Sequence, residues 1–446
     1  MLDFTLYSPE SVGVSSDSIA EFLLRGNELG LHSFILFRHG KCISESYFAP
    51  YAKDKLHMLY SLSKSFTSIA CAFAVQDGLL AYEDRVAGFF PDKMISAGFA
   101  ELTVEHLLTM SVGTEEGDRF SGFDWIQDFL SAEPEHKPGS VFRYDTSATF
   151  MVAAILERVL GRSIECYLTD KLFSKISIDN HWWQRSPDGI CTGGYGLNLR
   201  TRDLARFASF IMNRGSWEGE QLLDPALIER ATSKHIENGV PVAGQPCDWA
   251  MGYGYQFWRC EPDGVFRGDG AFGQYMIFMP KQDAFIAINS GTPDMQAILT
   301  AIWKIILPAM ADIRPDNPEA EAKLREIETT RHITYPEGTP YENVPEGVFT
   351  FKDKKVSFTI ENDLLCMYLH EDEKKTIRLR AGYNRFVDCG GNSYAYAVKD
   401  GELIFREVHS YTPYGNDCIL RFEGETVAER TAPFSGCVHM DHRILN

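Results

Sequence analysis

Apolar residues recur along this chain in two rhythms, one of three to four residues and one of two. Ile19, Phe22, Leu23 and Leu29 lie near one face of a helical repeat, which predicts a helix over 16–28 capped by Ser15 or Ser16. The run SFILFRHGKCISESYF has two β-prone stretches on either side of His39-Gly40-Lys41 and predicts a hairpin with Gly40 in the turn. From Tyr60, the residues Leu62, Phe66, Ile69, Ala70 and Phe73 predict a helix that Gly78 stops. Further helices are predicted after Thr103 as cap, from Phe150 to Gly161, and from an Asp203 cap to Gly215. Strand character returns at YGYQFW, QYMIFMP and AFIAINS, and helix at 295–310. A hairpin, many helices and then strands is the order of an α/β fold on an antiparallel sheet, not of a repeating βαβ series.

Past residue 310 the pattern changes. Residues 311–345 are rich in Pro and charge and read as a linker with one short helix. Residues 346–446 hold about seven short β-prone runs, from GVFTF to CILRF, and predict a small antiparallel barrel or sandwich. The expected division is therefore 1–310, linker 311–345, and 346–446.

Composition narrows the function. The 446 residues are 44% hydrophobic and 24% charged, an ordinary globular balance. With 43 Lys and Arg against 62 Asp and Glu, the formal charge is −19, which disfavours nucleic acid and anionic membranes as partners. No apolar run approaches a membrane span, and the first residues show no basic, then apolar, leader pattern. Ten cysteines without a C-x-x-C pair predict free, mostly buried thiols, a cytoplasmic setting and no metal site.

The candidate chemistry begins at Ser61-Leu62-Ser63-Lys64. Residues three apart share a helix face, so Ser61 and Lys64 can touch. A serine hydroxyl is a weak nucleophile that needs a base beside it, and a lysine serves when burial or neighbouring charge lowers its pKa. The motif alone is short, and a Ser-rich cap with a surface lysine is its commoner meaning. Its surroundings change that balance. HGKCISESYFAPY, MLYSLSKSFTSIA, LTVEHLLTMSVG, PGSVFRYDTSATFMVAAILERVLGRSI and GAFGQYMIFMPKQDAFIAINSG follow one another in order. Over about residues 8–308 the chain resembles serine hydrolases of the β-lactamase and penicillin-binding-protein type. The likeness is greatest to the class C branch, with its esterases and 6-aminohexanoate-dimer hydrolases.

The resemblance implies a β-lactamase/transpeptidase-like fold: an antiparallel sheet flanked by helices plus an all-helical region. A C-terminal all-β domain resembling a lipocalin-like barrel would follow. It implies a Ser61 acyl-enzyme, with Lys64 and Tyr144 moving the proton and no cofactor. Water would deacylate, with Tyr144 as base. The second family motif, Y-x-N, reads Tyr144-Asp145-Thr146 here, so the amide is lost at Thr146. The third, Lys-Thr-Gly or His-x-Gly, aligns on Gly268-Asp269-Gly270, with no cation at 268. Arg267 carries a charge, but as a strand neighbour it points to the other face. The backbone N–H groups of Ser61 and Ala271 would form the oxyanion hole. Thr146, Arg267, Asp269, Gly270 and Phe272 are the candidate substrate contacts. The expected substrate is a small-molecule or short-peptide amide or ester, with β-lactams disfavoured. The altered second and third motifs also leave open a catalytically silent fold used for binding or sensing.

Other signals have plainer meanings. Gly268–Gly273 spells G-x-G-x-x-G but precedes a predicted strand, against a dinucleotide site. His439 and His442 lack further ligands and read as a solvated tail. Trp182-Trp183, Tyr253, Tyr255, Phe257 and Trp258 could line a cleft, although alternating aromatics more often form core. Residues 118–125 read as a long polar loop that could form part of a lid.

Overall fold

The computed structural model describes residues 2–115, 120, 122–239, 247–342, 344–351, 354–370 and 375–439. The first domain is organised by a six-stranded antiparallel sheet. Its order is Lys41–Tyr47, Leu31–Arg38, Ala284–Ser290, Gln274–Met279, Phe266–Gly270 and Trp258–Arg259. The N-terminal hairpin therefore pairs with strands from the far end of the domain, with Phe34 opposite Ile288. The predicted hairpin forms, and His39 and Gly40 both take positive φ at its turn.

The sheet is buried on both faces, and strand parity sorts its side chains between two cores. Ile35, Phe37, Met276, Phe278, Phe285 and Ala287 join one. Phe34, Leu36, Tyr275, Ile277, Ile286 and Ile288 join the other. The first core holds the helices Ser63–Gln76, Val104–Leu108, Thr146–Leu160 and Thr201–Met212. The second holds Ser16–Leu24, Met295–Ala301 and Pro318–Thr330.

Several sequence expectations shift. The first helix ends at Leu24, and Ser15 is its cap. The helix predicted from Phe150 begins at Thr146, because the Asp145 carboxylate caps it by accepting from Ser147 N and Ala148 N. Asp203 is not a cap: Arg200 is, and Asp203 returns its carboxylate to the Arg200 N–H. In YGYQFW only Trp258 enters a strand, since Gln256 has a φ of +64° and the backbone bends around it. The helix in the predicted linker, Pro318–Thr330, is a cover for the sheet. Leu324 and Ile327 enter its core, and Ser44 Oγ donates to Glu328 Oε1 at 2.6 Å.

The C-terminal region forms one nine-stranded sheet in up-and-down order from Val348–Phe351 to Thr426–Ala432. Gly382–Tyr383 pairs parallel with Ala395–Tyr396, and Thr350 with Thr426, so the ladder closes on itself. The two-residue strand Val387–Asp388 makes the count odd, which is why both closing pairs are parallel. Phe351, Val356, Leu365, Leu403, Phe405 and Leu420 fill this region's core. Its residues also bond directly to the first domain: Met58 N donates to Tyr411 O at 2.8 Å, and Tyr51 Oη to Thr412 O at 2.9 Å.

Candidate active site

Ser61 sits in a single 3₁₀ turn, Tyr60–Leu62, that leads directly into the helix Ser63–Gln76. That helix is buried on every side from Ser63 to Ala74, so it is a central rod rather than the one-faced helix its spacing suggested. The turn is pinned from two sides. Leu59 N donates to Leu197 O at 2.9 Å, and Ser63 Oγ donates to Tyr60 O at 2.6 Å while accepting from Leu197 N at 3.1 Å.

Lys64 is 2% exposed, and its Nζ is surrounded by oxygens. Its Nζ donates to Ser61 Oγ at 3.2 Å, Thr146 Oγ1 at 3.2 Å and Gly194 O at 2.8 Å. It also lies 4.9 Å from the centroid of the Tyr144 ring. Thus Ser61, Lys64, Tyr144 and Thr146 meet; spacing along the sequence suggested the first two, and the family resemblance the other two. A lysine has three N–H hydrogens, and these oxygens offer an acceptor to each. With the amine neutral, the 3.2 Å contact lets the Ser61 proton pass to Nζ without an intervening water.

Asp145 fixes the other half of the site. By capping Thr146–Leu160 it sets where that helix begins, with Thr146 turned toward Lys64 and Tyr144 just before it. Tyr144 stacks on Trp258, with centroids 5.5 Å apart.

The strand Phe266–Gly270 runs against the turn at Ser61 so closely that its glycines have no room for a side chain. A Cβ on Gly270 would lie 2.1 Å from Leu59 O and 3.0 Å from Leu62 N. One on Gly268 would lie 2.6 Å from Ser65 Oγ. Strand parity puts Arg267 and Asp269 on the opposite face. Arg267 is fully buried; its Nε donates to Asp269 Oδ2 at 2.9 Å and its Nη1 to Asp248 O at 3.0 Å. Its guanidinium also packs on Trp249 and Trp258. Burial raises the Asp269 carboxyl above its usual range, while Arg267 and then Lys64 pull it back. Arg267 is thereby committed within the protein, although it reaches Tyr144 through the shared ring of Trp258.

Beyond Gly270 the chain turns through Ala271, Phe272 and Gly273. Phe272 holds a φ of +67°, and its carbonyl accepts from Ser290 Oγ at 2.6 Å and Thr292 N at 3.2 Å. Ala271 and Phe272 are both half-buried.

Gly194 and Gln256 were not singled out from the sequence. Gly194 acts through its carbonyl. Gln256 is buried between the helices: it accepts from Thr149 Oγ1 at 2.7 Å, donates from Nε2 to Leu108 O at 2.7 Å, and receives Ser65 Oγ on its own carbonyl at 3.0 Å. Neither leaves a motif, although Gly193-Gly194 stands out as a doubled glycine. Tyr253, Tyr255, Phe257 and Trp258 are core residues, while Trp182 is exposed and Trp183 buried. Gly268–Gly273 is a hairpin between two strands and opens no helix. His442 and residues 118, 119 and 121 of the predicted polar loop lie outside the described residues. Among the described residues no cluster of His, Cys, Asp or Glu is placed to hold a metal ion, and no helix is long and apolar enough to cross a membrane.

Known proteins share this arrangement of elements. The chain is 22% identical over 288 residues to the 6-aminohexanoate-dimer hydrolase of Paenarthrobacter ureafaciens, covering 59% of this chain and 73% of that protein. It is 20% identical over 317 residues to a beta-lactamase of Escherichia coli K12, covering 58% and 81%. The octameric penicillin-binding protein homologue from Pyrococcus abyssi shares its fold, with a TM-score of 0.53 at 17% identity over 93% of this chain and 98% of that one. The family model for Beta-lactamase matches residues 28–305, a span that takes in the turn at Ser61, the helix cap at Asp145 and the strand at Gly270. With more than half of the chain inside that match, this protein belongs to the Beta-lactamase family, whose fold it shares.

Proposed function

We propose that this protein is a serine hydrolase that opens an amide or ester bond through an acyl-enzyme on Ser61. The observation that carries the reading is the buried Lys64 Nζ at 3.2 Å from Ser61 Oγ. With the Lys64 amine neutral, Ser61 Oγ attacks the carbonyl carbon as its proton passes to the Lys64–Tyr144 pair. The C–O bond forms, and the carbonyl electrons move onto oxygen. The N–H groups of Ser61 and Ala271 receive that oxyanion. The tetrahedral species then collapses, and the leaving amine or alcohol takes the proton back. Water attacks the acyl-enzyme with Tyr144 as base and releases the acid.

The substrate is a small amide or ester, or a short peptide. A relative named for hydrolysing an aminohexanoate dimer supports the amide branch. β-Lactams are poorer substrates in this reading. Gly268 supplies no cation for their carboxylate, and Arg267 is bound within the protein. The closed C-terminal ladder supports a lipocalin-like barrel appended to the hydrolase. The test is intact-mass spectrometry after exposure to a fluorophosphonate. One adduct is expected, lost in Ser61→Ala; no adduct, or one that survives the substitution, overturns the assignment.

A further inference from the structure

The two residues that border the candidate oxyanion hole are both held in an unfavourable backbone conformation. Tyr60, just before Ser61, has a φ of +49°, and Phe272, just after Ala271, a φ of +67°. For side chains of this size the left-handed region is unfavourable, and it persists only where the surroundings hold it. Tyr60 sets the orientation of the peptide plane that carries the Ser61 N–H. Phe272 closes the turn that carries Ala271.

Their surroundings come from the other domain. The Tyr60 and Phe272 rings meet edge to face at 5.3 Å. Tyr414, which follows the turn 410–413 of the C-terminal barrel, places its ring 5.7 Å from that of Phe272. Burial, and after it the Tyr414 phenol beside it, raises the Tyr60 hydroxyl pKa. The same turn is tied down next to the nucleophile, where Met58 N donates to Tyr411 O at 2.8 Å. Its Pro413 carbonyl lies so near Gly291 that a Cβ there would approach it to 2.8 Å. Three half-buried aromatic rings, one of them from the barrel, thus bracket the two backbone amides.

We propose that Tyr414 is a positioning residue for the oxyanion hole, so that the C-terminal domain completes the hydrolytic site. It does so by holding Tyr60 and Phe272 in the strained conformations that aim the Ser61 and Ala271 amides. The inference rests on the serine-hydrolase reading above. A positioning role of this kind acts on the transition state more than on substrate binding, so it lowers kcat and leaves KM.

The experiment compares full-length Tyr414→Ala, Tyr414→Leu and Tyr414→Phe with wild type and with Lys55→Ala. Lys55 pairs with Asp388 across the same domain contact, and its ring contact is with Tyr411 rather than with Tyr60, Phe272 or Tyr414. Steady-state hydrolysis of p-nitrophenyl butyrate and the fluorophosphonate labelling rate are measured, with thermal midpoints for each variant. Tyr414→Ala and Tyr414→Leu are expected to lose about 10- to 100-fold in kcat and in labelling rate, within the range of a weakened oxyanion donor. KM should stay within about threefold, because ground-state binding is not what the rings support. Tyr414→Phe keeps the ring and should retain most of the activity, and Lys55→Ala should match wild type. Tyr414→Ala or Tyr414→Leu with wild-type kcat overturns the proposal. So does an equal loss in Lys55→Ala, which would indicate general loosening, or a loss confined to KM. Should Tyr414→Ala not fold, Tyr414→Leu and Tyr414→Phe decide alone. If wild type itself takes no label, it is the hydrolase reading that fails.

Discussion

The carbonyl of Gly194 lies 2.8 Å from Lys64 Nζ, closer than the hydroxyl of Ser61. That approach depends on the absence of a side chain. A Cβ at 194 would sit 2.6 Å from Thr146 Cγ2 and 3.4 Å from Lys64 Nζ itself. Gly194→Ala is therefore expected to push Thr146 and Lys64 out of register with Ser61. A displacement near 1 Å costs about 100-fold in rate. Esterase assays on the folded variant check this; wild-type kcat would show that the carbonyl does not position the lysine.

Ser61→Ala should lower kcat by about 10⁶, the scale of nucleophile loss in serine hydrolases. Lys64→Ala should cost several hundred-fold or more, within general-base magnitudes of about 10²–10⁴. Because the two act as one unit, the double variant should be no slower than Ser61→Ala alone. Single-turnover kinetics on an activated ester read all three.

Nitrocefin turnover should be far below that of an activated ester. Introducing the missing cation by Gly268→Lys should not restore it, since a Cβ there meets Ser65 Oγ at 2.6 Å and Leu62 Cδ1 at 2.7 Å. The variant should instead lose thermal stability. Efficient nitrocefin hydrolysis by wild type would show that another group holds the carboxylate.

His32 and His57 predict how stability varies with pH. His32 Nε2 meets Gly436 O at 2.8 Å, His32 Nδ1 meets His57 Nε2 at 3.0 Å, and His57 Nδ1 meets Met58 O at 3.0 Å. Two neutral imidazoles bring two N–H hydrogens to those three contacts. A proton would supply the third, yet burial outweighs it and depresses the His57 pKa to about 4 and that of His32 well below normal. The unfolded chain then binds more protons than the folded one as pH falls. The contribution is complete above about pH 6.5 and is lost toward pH 4, about 3 kcal/mol for His57. Urea midpoints at pH 7.5, 5.5 and 4.5 should fall in wild type and flatten in His57→Gln. Equal slopes would rule the pair out as the cause.

The contact of Ser61 with Lys64 was legible because residues three apart share a helix face, although the surrounding family landmarks were needed to tell the motif from a Ser-rich cap; the Thr103 and Gly161 boundaries were legible because caps are chemical. Tyr144 needed family resemblance, since no local rule links it to Lys64 across 80 residues of chain. Gly194 escaped because a backbone carbonyl leaves no trace in side-chain pattern. The alternation of Tyr253, Tyr255 and Phe257 misled because burial on all sides imitates a strand. The charged helix Pro318–Thr330 looked like linker because only Ala320, Leu324, Ile327 and Glu328 are buried, too narrow a stripe against its charges.

The contact between His32 and Gly436 joins residues 404 positions apart. A ribosome adds about 5–20 residues per second, so on the order of ten seconds separate the last strand of the hydrolase sheet from the arrival of residue 436. Through that interval the residues that form the turn at Ser61 have been synthesised, but those that cover it from the barrel have not. If Tyr414 completes the site as proposed, the growing chain carries that site unfinished until the C-terminal region has been made.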